Sequence, residues 1–261
     1  MALVSGGFQK VHWTDEAIIL SAKKHGENSA VIRAFVSTHG VYAGVVKGAN
    51  SKANRGVFQP GNVVSLNWNA RLSEHMGTAK AELLSPTAAM VMQDAGKLAA
   101  LSSACVLVEM ALPERHPYTR LYKEFTAFLT TLPEAGWPHA YVKLELALLA
   151  ESGFGLDLSA CAATGTTEDL VYVSPKSGRA VSREAGMPYK DKMLPLPAFL
   201  LKNSKKYLAK GAEILDGLHL TGYFLYGWLL EPHGKKLPAA RQRLLNLLKE
   251  LQKESNGENA R

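Results

Sequence analysis

The first third of the chain has the apolar and polar pattern of β-strands, and part of it alternates with the period of two that is typical of them. The clearest case is residues 63–72, where Leu66 and Trp68 alternate with polar neighbours. With an apolar run at residues 17–20 and further strand-like stretches at 30–36, 41–46 and 78–84, separated by turns that contain Gly, Asn and Ser, this stretch predicts about five strands between residues 14 and 84. This number and spacing predict a small, closed or nearly closed barrel of the OB type. Closure would remove the exposed edges of so small a sheet.

After Ser85 the apolar period changes to that of helices. The predicted helical segments are residues 90–112 (with a break near Gly96), 118–132, 138–151, 197–203, 205–230 and 238–253. Residues 153–195 interrupt this pattern, because they are rich in Gly, Ser, Thr and Ala and contain one strand-like piece, residues 170–173. The predicted fold class is therefore α+β and multi-domain: an N-terminal OB-fold β-barrel, an α-helical bundle and a small turn-rich insertion.

These changes of pattern also predict the domain boundaries. We expect a flexible lead-in over residues 1–12, a barrel over 13–85, a helical domain over 86–152 and 196–254, an insertion over 153–195, and a polar tail over 255–261.

Positive charge is concentrated in the predicted barrel. The chain has a formal net charge of +7, and residues 1–80 contain nine Lys or Arg against four Asp or Glu. A basic domain of this kind favours an anionic partner such as nucleic acid. Residues 44–60 (GVVKGANSKANRGVFQP) contain a short β-branched run, a polar and basic loop (residues 50–56) and an apolar anchor (Val57, Phe58 and Pro60). The loop lacks the apolar area to bury itself, so we expect it to present cations outside the barrel.

The candidate DNA-binding residues are the basic side chains of the barrel and this loop: Lys23, Lys24, Arg33, Lys47, Lys52, Arg55 and Arg71. OB barrels bind single strands through a cationic groove with aromatic stacking platforms. Trp68 could supply such a platform, but its position in the alternation favours the core. Two alternatives stay open: a solvated basic surface, and a protein-interaction scaffold whose barrel binds the acidic tail of a partner.

Other classes of function find little support in the sequence. The eight histidines are scattered, and the chain has no nucleophile elbow, phosphate loop or dinucleotide fingerprint, so we expect no enzyme and no cofactor. An enzyme that uses His25 or His39 is a weaker alternative. The two cysteines, Cys105 and Cys161, suit a reducing cytoplasm, and no signal peptide or membrane span is expected.

The predicted insertion has the spacing of a zinc module without its ligands. Cys161 and Thr164 have C-x-x-C spacing with the second cysteine missing, and Ser182 and Ala185 repeat that spacing with neither. A structural zinc ion needs about four ligands, usually thiolates or imidazoles. One thiol with two neutral hydroxyls cannot hold zinc tightly, so we expect no metal here.

Several short segments, in this order, resemble the RecO family of recombination mediators: residues 13–20 (WTDEAIIL), 25–29 (HGENS), 47–49 (KGA), 59–60 (QP) and 240–245 (ARQRLL). The turn-rich insertion stands where many relatives carry a four-cysteine zinc module. The resemblance implies an OB barrel, a helical bundle and a zinc-like module. It also implies binding of single- and double-stranded DNA, annealing of strands coated by single-strand binding protein, and loading of RecA recombinase with the partner RecR.

The resemblance further implies a docking site for the acidic, apolar tail of single-strand binding protein on the helical domain. Such a tail needs an apolar groove with a cation at its rim. The candidate residues are Arg115, Tyr118, Arg120 and Lys123. A solvated helix face over the core is the alternative interpretation of these residues.

Overall fold

The computed structural model describes residues 11–49, 51–52, 54–72, 74–201 and 211–258. They fall into two compact units. The first contains the chain up to Met90 together with Leu112–Tyr122, and the second contains Val91–Ala111 and the chain from Lys123 onwards.

Five strands of the first unit form a closed barrel in the order β1-β2-β3-β5-β4. They are β1 (Val11–His25), β2 (Ser29–Val36), β3 (Gly40–Lys47), β4 (Val63–Ala70) and β5 (Gly77–Ser85). All pairs are antiparallel except β3 with β5. This arrangement confirms the predicted OB-type barrel. The lead-in was predicted to extend to residue 12, but Val11 and His12 pair with Ala70 and Asn69 and so begin β1.

The alternation of β4 places every second side chain in the barrel core. Leu66 and Trp68 are buried, whereas their neighbours are partly exposed. The Trp68 indole N–H donates to the carbonyl oxygen of Ala43 at 3.0 Å. A Cβ atom at Gly77 would lie 2.3 Å from the Trp68 ring, so only glycine fits where β5 begins. Trp68 is therefore a core residue, as its position in the alternation predicts.

The turn between β2 and β3 is held to β1 by the Asp15 carboxylate. One oxygen accepts a hydrogen bond from the Ser37 hydroxyl at 2.8 Å. The other accepts from the backbone N–H and the hydroxyl of Thr38, at 3.1 and 2.6 Å. Burial opposes ionisation of the carboxyl, but the hydrogen bonds from Thr38 and Ser37 outweigh burial and lower the pKa of Asp15 below its ordinary value.

Asp15→Asn is expected to destabilise the barrel by about 1–2 kcal/mol at neutral pH, because the amide cannot accept this set of hydrogen bonds. The folded-state pKa of Asp15 is lowered, so its stabilisation is fully present above the unfolded-state pKa of about 4 and is lost as pH falls through the folded-state pKa. Urea unfolding of both proteins at neutral pH and near ~pH 3 measures this. The difference in unfolding free energy should shrink at low pH, and an equal difference at both pH values would contradict the assignment.

The helices lie mainly in the second unit. They are α1 (Thr87–Val91), α2 (Ala95–Ala111), α3 (Thr119–Thr131), α4 (Trp137–Glu151), α5 (Arg183–Gly186), α6 (Gly211–Phe224) and α7 (Ala239–Glu258). Residues Met187–Lys192, Ala198–Leu200 and Glu231–His233 form 3₁₀ turns, and Leu225–Leu230 continues α6 as a π-helix. α2 packs against α4 and α7, and α6 packs against the same two helices. This confirms the α+β fold class.

The helix ends differ from the prediction in two places, and a third predicted end cannot be compared. The predicted helix over 197–203 is only a 3₁₀ turn, Ala198–Leu200, because Pro197 is extended and Leu201 leaves the helix again. The predicted start of the next helix lies outside the described residues, and α6 is described from Gly211. Helix α7 continues to Glu258, so the predicted polar tail over 255–261 begins inside the helix.

A buried charged pair joins α4, α6 and α7. The Arg241 guanidinium donates to both Glu145 carboxylate oxygens, at 2.7 and 2.9 Å, and to the Leu218 carbonyl oxygen at 2.7 Å. The Thr221 hydroxyl also donates to Glu145, at 2.5 Å. A Cβ atom at Gly222 would lie 2.7 Å from the guanidinium, so glycine leaves the space that Arg241 fills. Both charged side chains are at most 4% exposed.

Candidate nucleic-acid interface

Three of the predicted basic side chains lie on one outer face of the barrel. Lys23 lies opposite Val31, Ser21 opposite Arg33, and Lys47 opposite Ser29. Directly opposed residues in antiparallel strands project from the same face. The intervening residues of β2 are buried in the core. Lys23, Arg33 and Lys47 therefore lie on the outer face of β1–β2–β3, which we call the basic face.

A cavity of about 380 Å³ opens on this face. Lys23 and Arg33 line it, together with Met76, which is 57% exposed in the turn between β4 and β5. In OB folds the β2–β3 face and the β1–β2 and β4–β5 loops are the usual site for oligonucleotides. The cations of the basic face thus occupy the part of the barrel that this fold uses for nucleic acid.

The segment after α2 runs along the edge of the basic face. The Arg115 N–H donates to the Val41 carbonyl oxygen at 2.9 Å, and the Glu114 carboxylate contacts the Arg33 guanidinium at 2.8 Å. The Arg115 guanidinium donates to the carbonyl oxygens of Glu74 and His75. A carboxylate therefore sits where a phosphate would meet Arg33.

Glu114→Gln is expected to tighten binding of a single-stranded oligonucleotide about threefold, because it removes the charge that competes with phosphate for an exposed ion pair with Arg33. Fluorescence anisotropy at low salt measures the effect. Glu168→Gln, which makes the same change on an exposed turn of the second unit, is the matched control. Unchanged or weaker binding by the Glu114 variant would show that Arg33 takes no part in the DNA contact.

The loop between β3 and β4 is anchored to the barrel. Phe58 is only 6% exposed and belongs to the barrel core. The Asn62 amide donates to the Gly56 carbonyl oxygen at 2.8 Å, and the Gly61 N–H donates to the Ile19 carbonyl oxygen at 2.7 Å. Phe58 and Val57, predicted as the apolar anchor of the loop, contact the barrel core, whereas Pro60 is exposed. Its two cations, Lys52 and Arg55, are exposed.

Two other predicted cations do not lie on the basic face. Lys24 is opposite Ala30, whose side chain is buried in the core, so Lys24 and Lys23 project from different faces of β1. Arg71 follows the last residue of β4 and is exposed in the turn that leads to β5. Of the seven predicted DNA-binding residues, three therefore share the basic face, and the other four lie elsewhere on the barrel and its loops.

The predicted tail-binding residues divide between the two units. Arg115, Tyr118 and Arg120 belong to the first unit and Lys123 to the second. Tyr118 is 8% exposed, with its ring 4.9 Å from that of His116, whereas Arg120 and Lys123 are exposed. Arg115 contacts the barrel, as described above, and was not predicted there because its long-range partners leave no pattern in the local sequence. The tail-binding site stays a prediction.

A second polar surface of the barrel was missed by the prediction. Lys80 of β5 lies opposite Asn67 of β4, whose amide donates to the Thr14 hydroxyl at 3.0 Å. These residues and Lys47 line a groove of about 870 Å³. Lys80 and Glu82 alternate with Ala79 and Ala81 in the sequence, and this alternation is the signal that could have identified an outward-facing Lys80.

The insertion of the second unit is a three-stranded sheet in the order β7-β6-β8. Its strands are β6 (Leu170–Val173), β7 (Ala180–Ser182) and β8 (Leu194–Pro195), so the predicted strand over 170–173 is confirmed. Cys161 is buried beside β7, and its sulfur accepts hydrogen bonds from the N–H and hydroxyl of Ser182 at 3.3 and 3.5 Å. Burial opposes thiolate formation, but hydrogen bonds from Ser182 and Thr164 outweigh it and lower the pKa of Cys161 to about 6.

Four positions have the spacing of zinc-module cysteines: Cys161, Thr164, Ser182 and Ala185. Hydrogen bonds connect the first three of them. Throughout the ranges that the structure describes, no cluster of three or more His, Cys, Asp or Glu side chains is arranged to hold a metal ion. Within the same residues, no helix combines the length and apolar character needed to span a membrane.

Residues 11–87 match the family described as Recombination protein O N terminal, and residues 92–238 match Recombination protein O C terminal. The chain belongs to the RecO family. It is 44% identical to the DNA repair protein RecO of Rhodospirillum rubrum over 92% of this chain and 97% of the relative. It is 47% identical to the RecO protein of Rhodospirillum centenum, over 90% and 94% of the two chains. The RecO resemblance predicted from the short segments is therefore confirmed.

Proposed function

We propose that this RecO-family protein acts in DNA repair and recombination by binding single- and double-stranded DNA without sequence preference and annealing complementary strands. The observation that carries the proposal is the grouping of Lys23, Arg33 and Lys47 on the face that OB barrels use for nucleic acid. The printed names of the relatives, DNA repair protein RecO, support the same pathway.

The chemistry of the basic face suits the phosphate backbone. Lys23 and Lys47 are exposed, and Arg33 can exchange its carboxylate partner for a phosphate oxygen. Contacts between such cations and phosphate carry no sequence information and depend strongly on salt. An annealing factor needs this property, because it must hold any strand and release the duplex. We assign the protein no catalytic step, since binding alone brings complementary strands together.

The proposed pathway includes partner proteins. We propose that the strands are delivered as complexes with single-strand binding protein, whose acidic tail docks on the protein, and that RecR acts with it to load RecA recombinase. The family membership supports these partners. Exposed Arg120 and Lys123 supply the positive charge that an acidic tail needs.

The direct test is the annealing of complementary oligonucleotides coated with single-strand binding protein. We expect the protein to accelerate annealing, followed by the quenching of paired fluorophores. The variant Lys23→Ala, Arg33→Ala, Lys47→Ala should lose this acceleration. The protein could instead bind the bare strands and leave the annealing of the coated strands unchanged. That result would support the proposed DNA binding and contradict the proposed mediator function.

A further inference from the structure

The barrel closes between β3 and β5 through a short stretch of strand pairing. These strands pair over two residues only, Gly44 with Gly77 and Val45 with Thr78. From residue 79 onwards, β5 pairs with β4 on one side, and no strand in the described part of the chain pairs with its other edge. A strand edge of this kind carries N–H and C=O groups that can pair with another chain.

The groove of about 870 Å³ lies along this edge. Five consecutive residues of β5, 78–82, line it. Successive side chains of a strand point to opposite faces, so a groove that touches all five also reaches the strand's edge. Val46 and Phe58, which are almost fully buried, also line the groove. The groove therefore lies beside an open strand edge with which an extended segment can pair.

The core-facing side chains of β5 form a row that ends in a partly exposed leucine. Ala79, Ala81 and Leu83 lie opposite core residues of β4, and Ala79 is buried. Leu83 continues the same row, lies one residue beyond the part of β5 that lines the groove, and is 40% exposed. A core-facing leucine with this exposure provides apolar area that an added strand would bury.

The charges that line the groove indicate which kind of ligand it fits. Lys47 and Lys80 line it, and the loop beyond carries the exposed cations Lys52 and Arg55. Glu82 is the single acid among the lining residues. No aromatic side chain in the groove is exposed for base stacking, since Phe58 is buried. The combination of an open strand edge, an apolar inner row and a cationic rim fits an acidic peptide better than a nucleic-acid strand.

We propose that the groove between β3 and β5 binds an extended acidic segment of a partner protein by β-strand addition to the edge of β5. The segment's backbone pairs with residues 79–83, its alternate apolar side chains cover Leu83, and its acidic side chains meet Lys47 and Lys80. This site shares Lys47 with the basic face, but its other residues differ, and it does not depend on the proposed DNA binding.

The probe is a fluorescent peptide of alternating Asp and Val residues, with its binding to the full-length protein measured by anisotropy. Lys80→Glu should weaken binding about fivefold through charge repulsion. The control Lys176→Glu makes the same change on an exposed turn of the second unit and should leave binding unaltered. Hydrogen exchange should show peptide-dependent protection of residues 79–83.

Leu83→Lys separates the proposal from simple charge attraction. It adds a cation but removes the apolar contact, so peptide binding should weaken about fivefold. Purely electrostatic binding of peptide or DNA would instead become tighter. The proposal is overturned by absence of peptide binding at low salt, by binding without protection of residues 79–83, or by protection of those residues with an oligonucleotide alone.

Discussion

The triple variant Lys23→Ala, Arg33→Ala, Lys47→Ala is expected to bind a single-stranded oligonucleotide about tenfold to a hundredfold more weakly than the wild type. The estimate follows from the loss of ~0.5–1 kcal/mol for each of three exposed ion pairs with phosphate. The three side chains project from one outer face and lie outside the core. The fold should therefore remain intact, with an unchanged circular dichroism spectrum. Fluorescence anisotropy at fixed low salt measures the affinity.

A matched control removes the same number of charges from the second unit. Lys176 is exposed in a turn, and Lys190 and Lys192 are exposed in the 3₁₀ turn Met187–Lys192. Their replacement by alanine should change DNA affinity less than threefold, through net charge alone. Equal losses in the two triple variants would show that total charge, and not the basic face, determines binding.

The second large effect is expected at the buried pair of Glu145 and Arg241. Arg241→Met should lower the unfolding free energy of the helical unit by about 3–5 kcal/mol, because it leaves a buried carboxylate without its partner. The Glu145 oxygens would retain only the Thr221 hydroxyl among the donors described above. Urea unfolding followed by far-ultraviolet circular dichroism measures the loss as a reduced midpoint for the helical signal.

The double variant Glu145→Leu, Arg241→Met is the control for this prediction. Apolar residues of similar volume can replace a buried pair at little cost, because no charge is then left in the core. The double variant should recover most of the lost stability. A double variant no more stable than Arg241→Met would show that shape, and not charge, accounts for the effect.

The barrel could be predicted in part because the sequence of β4 alternates strictly between buried and partly exposed residues. Leu66 and Trp68 of β4 point to the core at every second position, and this period is visible in the sequence alone. The same alternation in β5 identifies Lys80 as outward-facing once the strand is recognised. The loop before β4 has the composition of solvated turns, whereas its apolar anchor, Phe58, belongs to the core.

The candidate site could be predicted only in part, because it depends on register and on distant segments. Lys23 and Lys24 are adjacent in sequence, yet only Lys23 shares a face with Arg33. A bulge in β1 between Ile19 and Ser21 shifts this register, and nothing in the sequence marks it. The contact of Glu114 with Arg33 likewise joins residues far apart in the chain.

The central claim is that the basic face binds the phosphate backbone, and the salt dependence of oligonucleotide binding tests it most directly. For single strands, the slope of log K against log salt concentration is about −0.7 for each phosphate contact. The wild type should show a steep negative slope, and the Lys23, Arg33, Lys47 triple alanine variant should reduce its magnitude by about 2. A flat slope in the wild type, or the same slope in both proteins, would contradict the account.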